Sequence, residues 1–368
     1  MTVVFAGGGT GGHLYPAIAI ADALKKRGAG AEFVGTADRL EAKIVPNAGY
    51  ALHTIASRPL SRRLNAELPL TVFANSAGVL QSAALLRQLK PAFVIATGGY
   101  VCFPLVFAAR ALRAVALYRG PIVLFEPNAK PGLTNRLLAP LVDEIWGAFD
   151  GGDARFRRKY VKTGIPVRES LRHLPSRDVA AQRLGLNPAR KTLLAMGGSQ
   201  GARAINDALT ALIKSDGLPP GWQLLQVTGE REYDRVRAEL GTSDSVVRSY
   251  LSDVSDAYAA ADLVLARAGA STLGELAALG KPAILVPYPY AAEDHQAANA
   301  ERFSAAGAAV TLPDRDLAAG RLRFVLAECA ESGRLDAMQA AAARLSSGDP
   351  VTTIVARVDA LLARKNRS

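Results

Sequence analysis

The chain has 368 residues, 49% of them hydrophobic and 21% charged, with a formal net charge of +11. That length and composition suit a globular protein of two domains of ~150 residues, each with ample chain for its own core. Two distant cysteines, Cys102 and Cys329, argue against a disulfide scaffold or a CxxC zinc site and fit a reducing cytosol, and the four histidines show no metal-ligand spacing. The N-terminus lacks a basic n-region and cleavage site, so no signal peptide is expected. No uninterrupted apolar run reaches the ~18 residues of a membrane span. The charge is uneven. Residues 1–163 hold 20 Lys and Arg against 10 Asp and Glu, whereas residues 164–368 hold 24 against 23. A basic excess of this kind serves solubility or an anionic partner. Without aromatic-interleaved basic motifs, nucleic acid is the weakest of those partners.

Taken in order, short aliphatic runs predict strands at 3–6, 32–34, 93–96, 122–125 and 144–146. Helices are predicted at 16–27, 74–88 and 133–138 between them. Such alternation implies a parallel sheet with right-handed crossovers. Residues 159–168, KYVKTGIPVR, carry glycine and proline and read as a linker. The pattern then restarts, with a strand at 192–196, a helix at 204–214, strands at 223–228 and 263–266, a helix at 273–278 and a strand at 283–286. The remainder is largely helical, broken near Pro350 before a last helix at 351–364. The expected organisation is an α/β protein of two doubly wound, Rossmann-like parallel-sheet domains, 1–163 and 164–345. Residues 346–368 are expected to pack back on the first domain.

Two glycine-rich turns follow predicted strands and open predicted helices: VVFAGGGTGGH at 3–13 and LLAMGGSQGAR at 193–203. Glycine there lets backbone N–H groups approach a ligand, and the helix start adds partial positive charge for a phosphate. Two such cradles suggest two nucleotide-type domains facing one cleft. Gly7, Gly9 and Gly12 satisfy G-x-G-x-x-G. A dehydrogenase would need an acid at the C-terminal end of the second strand, and Glu32 sits at its start. His13 ends the first loop, where a base can reach a substrate hydroxyl. A third cluster, RAGASTLGE at 267–275, reads either as a capping box of Thr272 and Glu275 or as a phosphate-facing helix start whose Glu275 accepts both hydroxyls of a ribose. In GGSQGAR, Ser199 is either an N-cap or a diphosphate contact.

The ordered set GGTGGH, GTADRLEA, GGYV, a glutamate–asparagine loop ending in GLTN, G-x-PVR, GGSQGAR, RAGAST-to-Glu, DHQ and NA closely resembles the MurG family over nearly the whole chain. The resemblance implies the GT-B fold, with a cleft between its domains. It also implies inverting, metal-independent transfer of N-acetylglucosamine from its UDP donor to the 4-hydroxyl of the muramoyl sugar of undecaprenyl-diphosphoryl-N-acetylmuramoyl pentapeptide, without cofactor. It gives the donor to the second domain. Arg168 and Ser199 would meet the diphosphate and Leu251 the uracil edge. Ala270, Ser271 and Thr272 would face phosphate, Leu273 and Gly274 would belong to the substrate site, and Arg168 or Arg267 would stabilise the leaving group. Glu275 would hold the ribose and Gln296 the sugar. It gives the acceptor to the first domain. Thr10, Gly11 and Gly12 would face the acceptor diphosphate with Tyr100 nearby, and His13, Asn128 and Glu126 would stand at the reacting sugars.

Three motifs depart from that pattern. HEQN is Phe125-Glu126-Pro127-Asn128, GNPVR carries Ile165, and GGYVSGP carries Cys102 and Phe103. The first departure puts weight on His13. The resemblance also implies a peripheral site at the cytoplasmic face of the bacterial membrane and complexes with wall-building or division proteins. Arg58, Arg62, Arg63, Arg87 and Lys90 flank the apolar run 68–80, which is either a buried helix or a lipid contact. An epimerase or hydrolase of UDP-N-acetylglucosamine and a catalytically lapsed sugar-nucleotide binder are the alternatives on the same fold.

Overall fold

The computed structural model describes residues 1–59, 67–149, 156, 158–198, 201–240, 245–317, 319–346 and 348–365. The chain forms two compact units, Met1–Arg168 with Gly348–Ser368, and Glu169–Ser347. In the first, β1 (Thr2–Ala6), α1 (Gly11–Lys26), β2 (Gly30–Gly35), α2 (Leu40–Asn47), β3 (Ala51–Thr54) and α3 (Leu68–Leu89) lead to β4 (Phe93–Ala96). Then come α4 (Cys102–Ala114), β5 (Ile122–Glu126), α5 (Leu133–Leu138), β6 (Glu144–Gly147) and β7 (Tyr160–Lys162). The strands pair in parallel in the order β3-β2-β1-β4-β5-β6-β7. Runs such as VVFA and FVIA are apolar without alternation because helices cover both sheet faces. Leu14, Ile20 and Phe33 fill one side, and Leu105, Val106 and Leu138 the other.

The second unit runs α6 (Arg177–Leu184), β8 (Lys191–Met196), α7 (Arg203–Ser215), β9 (Trp222–Val227), α8 (Tyr233–Leu240), β10 (Ser245–Arg248) and α9 (Ser255–Ala260). It continues with β11 (Leu263–Ala266), α10 (Ala270–Leu279), β12 (Ala283–Leu285), α11 (His295–Ala305), β13 (Ala309–Thr311), α12 (Ala319–Ala330) and α13 (Arg334–Leu345). Its sheet, also parallel, is ordered β10-β9-β8-β11-β12-β13. The last helix, α14 (Pro350–Lys365), belongs to the first unit. Ile354, Val358 and Leu361, spaced to share one helix face, join the core beside Leu14 and Leu24. Arg357 pairs with Glu144, and Arg27 lies 2.8 Å from Asp359.

The expected linker at 159–168 contains β7, whose Tyr160 registers against Ile145 of β6. Three residues suffice for an edge strand, too few to show a period in sequence. The contact boundary falls after Arg168, so residues 164–168 sit with the first unit and residues 346 and 347 with the second. Glu32 is mid-strand on β2, with its carboxylate 2.8 Å from His53 Nε2, so the β2 end lacks the acid a dinucleotide ribose needs.

The apolar run at 68–80 and the helix predicted at 74–88 are one 22-residue helix, α3, inverted in its amphipathicity. Thr71, Asn75, Gly78, Ser82 and Leu86 form its buried stripe, while Leu70, Val72, Phe73 and Leu80 are exposed. Gly78 is required there, since a Cβ would lie 2.0 Å from the Ala56 carbonyl oxygen. Asn75 exchanges hydrogen bonds with the Arg58 backbone. By length and composition α3 could cross a membrane, although no uninterrupted apolar run in it has that length.

Candidate active site

In each sheet the strand order reverses beside the first strand of its unit, between β1 and β4 and between β8 and β11. Loops at the carboxyl ends of those pairs open a crevice in doubly wound sheets. In the first unit these loops are 7–10 and 97–101, joined by Gly8 N–H donating to the Gly98 carbonyl at 3.3 Å. Thr10 is the N-cap of α1, without a side-chain cap, and its carbonyl accepts from His13 and Leu14 N–H. The N–H groups of Thr10, Gly11 and Gly12 are therefore those that a helix start leaves without intrahelical partners. Helix starts of this kind suit anions. This one brings together four of the expected residues, Thr10, Gly11, Gly12 and His13.

His13 Nδ1 lies 3.0 Å from the Gly8 carbonyl oxygen and 3.3 Å from Thr10 Oγ1. A carbonyl only accepts, so Nδ1 carries the proton and Nε2 is the basic nitrogen. Gly98, at φ +113°, leaves room for the ring, for a Cβ there would lie 2.8 Å from Nε2. The Tyr100 ring borders Gly9, and its carbonyl accepts from Ser57 Oγ.

Glu126 is buried at the end of β5 and is an organiser of its own loop. Its carboxylate accepts from Asn128 N–H and Nδ2, both at 3.0 Å, from Gly132 N–H at 3.2 Å and from Asn135 Nδ2 at 2.8 Å. Burial pushes its carboxyl above the ordinary range, and the four donors oppose that. With both oxygens so engaged, Glu126 holds Asn128, and the half-buried Asn128 carries the exposure. Phe125 is wholly buried in the core, so a histidine's usual place in this loop is filled by packing. Cys102 substitutes for a hydroxyl in bonding as well as in sequence. Its Sγ accepts from Gly98 N–H and donates to the Ala6 carbonyl, both at 3.3 Å, and burial pushes the thiol up to about 12. The Arg168 guanidinium lies 5.0 Å from the centre of the Tyr15 ring, within the first unit and not on the donor-side unit where the resemblance put it.

In the second unit α10 begins at Ala270, with Gly269 as N-cap and Leu273 N–H donating to the Gly269 carbonyl at 3.0 Å. Thr272 and Glu275 are consequently inside the helix, and the capping box does not form. The N–H groups of Gly269 to Thr272 face the helix end. The buried Ser271 Oγ has no hydrogen-bond partner among the described residues. Leu273 and Gly274 are buried, and the Leu273 amide is bonded in the first helical turn. Glu275 is buried, and Tyr258 Oη donates to its Oε2 at 2.7 Å.

Arg267 is engaged within the second unit. Its guanidinium pairs with Asp314, donates to the Val286 and Pro287 carbonyls at 3.3 Å and lies over the Tyr288 ring. Gln296, in the first turn of α11, accepts from Tyr288 N–H at 2.9 Å, and Leu251 is half-exposed just beyond β10. Ser199 lies outside the described residues. The N-cap of α7 is Ala202, so the N-cap reading of Ser199 does not hold.

Three supporting residues escaped the sequence reading. Glu41 binds the first glycine loop, Tyr258 holds Glu275, and Asn299 Nδ2 donates to the Ala268 carbonyl at 3.1 Å. None stands in a glycine turn. The available signals were the carboxylate in GTADRLEA, six residues beyond the end of β2, and the asparagine of the NA motif. Among the described residues no three His, Cys, Asp or Glu side chains gather as a metal site.

Residues 3–146 match the glycosyltransferase family 28 N-terminal domain and residues 192–354 its C-terminal domain. The chain is 42% identical over 368 residues to the UDP-N-acetylglucosamine–N-acetylmuramyl-(pentapeptide) pyrophosphoryl-undecaprenol N-acetylglucosamine transferase of Moorella thermoacetica, covering 96% of this chain and 97% of the relative. It is 40% identical over 346 residues to the protein of the same name from Halothermothrix orenii, covering 91% of each. The crystal structure of Acinetobacter baumannii MurG superposes with a TM-score of 0.76 at 25% identity, covering 97% of this chain and 99% of that one.

Proposed function

Because this chain belongs to the MurG family of family 28 glycosyltransferases, we infer that it moves N-acetylglucosamine from UDP-N-acetylglucosamine onto the muramoyl 4-hydroxyl of the undecaprenyl-diphosphoryl pentapeptide acceptor. It is a hexosyltransferase of the GT-B fold, and its product is the lipid-linked disaccharide of peptidoglycan synthesis. The observation that carries the site-level reading is His13, donating through Nδ1 to the Gly8 carbonyl at a helix start.

The assignment of parts is as follows. The first unit takes the acceptor, with its diphosphate on the Thr10–Gly12 amides. His13 Nε2 removes the proton of the attacking hydroxyl as that oxygen bonds to the anomeric carbon. The bond from that carbon to the UDP oxygen breaks on the opposite face, so an α-linked donor gives a β-linked product. Asn128, held by Glu126, bears on the reacting sugars. The second unit takes the donor. Its diphosphate, which gathers negative charge as it leaves, meets the α10 amides and Ser271 Oγ, donors fixed before the reaction begins. Glu275, held by Tyr258, accepts the ribose hydroxyls, Gln296 bears on the sugar, and the Leu251 backbone on the uracil. Arg267 is a pin for the loop between β12 and α11.

The deciding assay is UDP release from UDP-N-acetylglucosamine with and without a short-chain lipid-linked muramoyl-pentapeptide. Release that requires the acceptor and yields the disaccharide is expected. Sugar rearrangement or release without acceptor would favour the epimerase or hydrolase chemistry.

The enzyme is further proposed to work at an anionic membrane surface, on the cytoplasmic side, in company with other wall-building or division proteins. Supporting this are the +10 excess of residues 1–163 and the outward apolar face of α3, with Phe73 74% and Leu80 73% exposed. Exposed aromatic and aliphatic side chains beside cations suit a headgroup layer. Flotation with vesicles containing anionic lipid is expected to carry the protein upward, less so at high salt and much less after Phe73→Ser with Leu80→Ser. Binding indifferent to both changes would remove α3 from the membrane surface.

A further inference from the structure

We propose that Glu41 is a positioning residue that sets the tautomer of His13 through a single peptide group. This rests on His13 being the base. Glu41 lies in the first turn of α2, fully buried, with its carboxylate between the loops that leave β1 and β2. Oε1 accepts from Thr36 N–H at 3.1 Å and Thr36 Oγ1 at 2.8 Å, and Oε2 accepts from Gly9 N–H at 3.0 Å. The carbonyl bonded to His13 Nδ1 is that of Gly8. Gly8 C=O and Gly9 N–H are the two ends of one trans peptide, and in a trans peptide they point in opposite directions. Fixing the N–H on Glu41 therefore aims the carbonyl at the imidazole.

The fit is close on every side. A Cβ on Gly8 would lie 2.6 Å from Glu41 Oε1, and one on Gly35 would lie 2.6 Å from Glu41 Cγ. Gly9 itself is at φ +81°, a conformation that turns its N–H inward at little cost for glycine alone. A hydrogen bond from the N–H to a charged acceptor also polarises the peptide, which strengthens its carbonyl as an acceptor from Nδ1. The arrangement places a peptide where many hydrolytic sites place a carboxylate directly on the histidine, and it keeps the acid out of solvent. The proton stays on Nδ1, and Nε2 is left to accept.

The test reads the ring itself. In protein labelled with 15N-histidine, with the His13 signals identified by their loss in His13→Gln, the neutral ring of the parent is expected to show a protonated Nδ1 and a bare Nε2. In Glu41→Gln the His13 signals should move toward a mixture of tautomers. The kcat of transfer should fall about ten- to hundredfold, with KM for UDP-N-acetylglucosamine unchanged. Glu41→Asp draws the charge back by one methylene and is expected to move the same signals in the same direction, so the proposal stays testable if the glutamine variant does not fold. A parent ring protonated on Nε2, or an unchanged ring spectrum in either folded variant, overturns it. Loss of the Nδ1 proton signature in a protein that shows no acceptor-dependent transfer would count against the transferase assignment and leave the coupling of Glu41 to His13 standing.

Discussion

His13→Ala is expected to lower kcat for transfer by about a hundred- to ten-thousandfold while UDP affinity stays that of the parent. The range follows from the role. A sugar hydroxyl is a poor nucleophile until its proton has somewhere to go, and a positioned imidazole supplies that in the transition state alone. The kcat effect should be confined to turnovers with acceptor, because the residues assigned to the donor are all on the other unit. Calorimetry with UDP and the UDP-release assay together decide it. A variant that keeps most of its turnover would reduce His13 to orienting the acceptor, and a variant that also loses UDP would mean the substitution had disturbed more than the β1 loop. Gly98→Ala should reproduce much of the defect by displacing the ring, since a Cβ at residue 98 would fall 2.6 Å from His13 Cδ2.

Glu275→Ala is expected to weaken UDP binding by about 2 kcal/mol, roughly thirtyfold. Hydrogen bonds to a charged acceptor are worth more than neutral ones, and this carboxylate is buried, so its bonds face little competition from water. The discriminating measurement is selectivity. The parent should bind UDP more tightly than 2′-deoxy-UDP, and Glu275→Ala should bind the two alike. Tyr258→Phe removes the donor to Oε2 and should lose part of that selectivity without losing all of it. If Glu275→Ala weakens both ligands equally and preserves their ratio, the carboxylate supports α10 and does not touch the ribose.

Much of the architecture was legible because it is written in local chemistry. Aliphatic runs of four or five residues followed by glycine and an amphipathic stretch predict strand, turn and helix without knowledge of neighbours, and β1, β4, β5, β8 and β11 lie where those runs are. The edge strands β3, β7, β10 and β13 were not legible, because ALHT, YVK, SVVR and AVT are short runs that mix polar with apolar residues, and their pairing is decided by the strand beside them. Residue roles divide in the same way. Thr10, Gly11 and Gly12 expose their amides because a helix begins there, a local fact. The pairing of Arg267 with Asp314, 47 residues away in sequence, is by contrast visible only in the folded chain.

Sequence alone predicted two parallel-sheet units, each with a glycine-rich turn after its first strand, and the ordered motifs of one transferase family. Strand and turn propensities act over a few residues, and motif order survives whatever the chain does between them. Tertiary structure alone decided which groups are spent on holding others. Glu126 looks like a candidate acid on paper and Glu41 is inconspicuous there, yet each is bonded to donors brought by folding, to Asn128, Gly132 and Asn135 for one and to Gly9 and Thr36 for the other. It also decided the face of α3. Composition makes that helix largely apolar, but Gly78 against the Ala56 carbonyl and Asn75 against the Arg58 backbone turn its small and polar stripe inward. The reason is common to all three. A buried polar group must find a partner, and the partners are fixed by which segments meet in space rather than by which lie near in the chain.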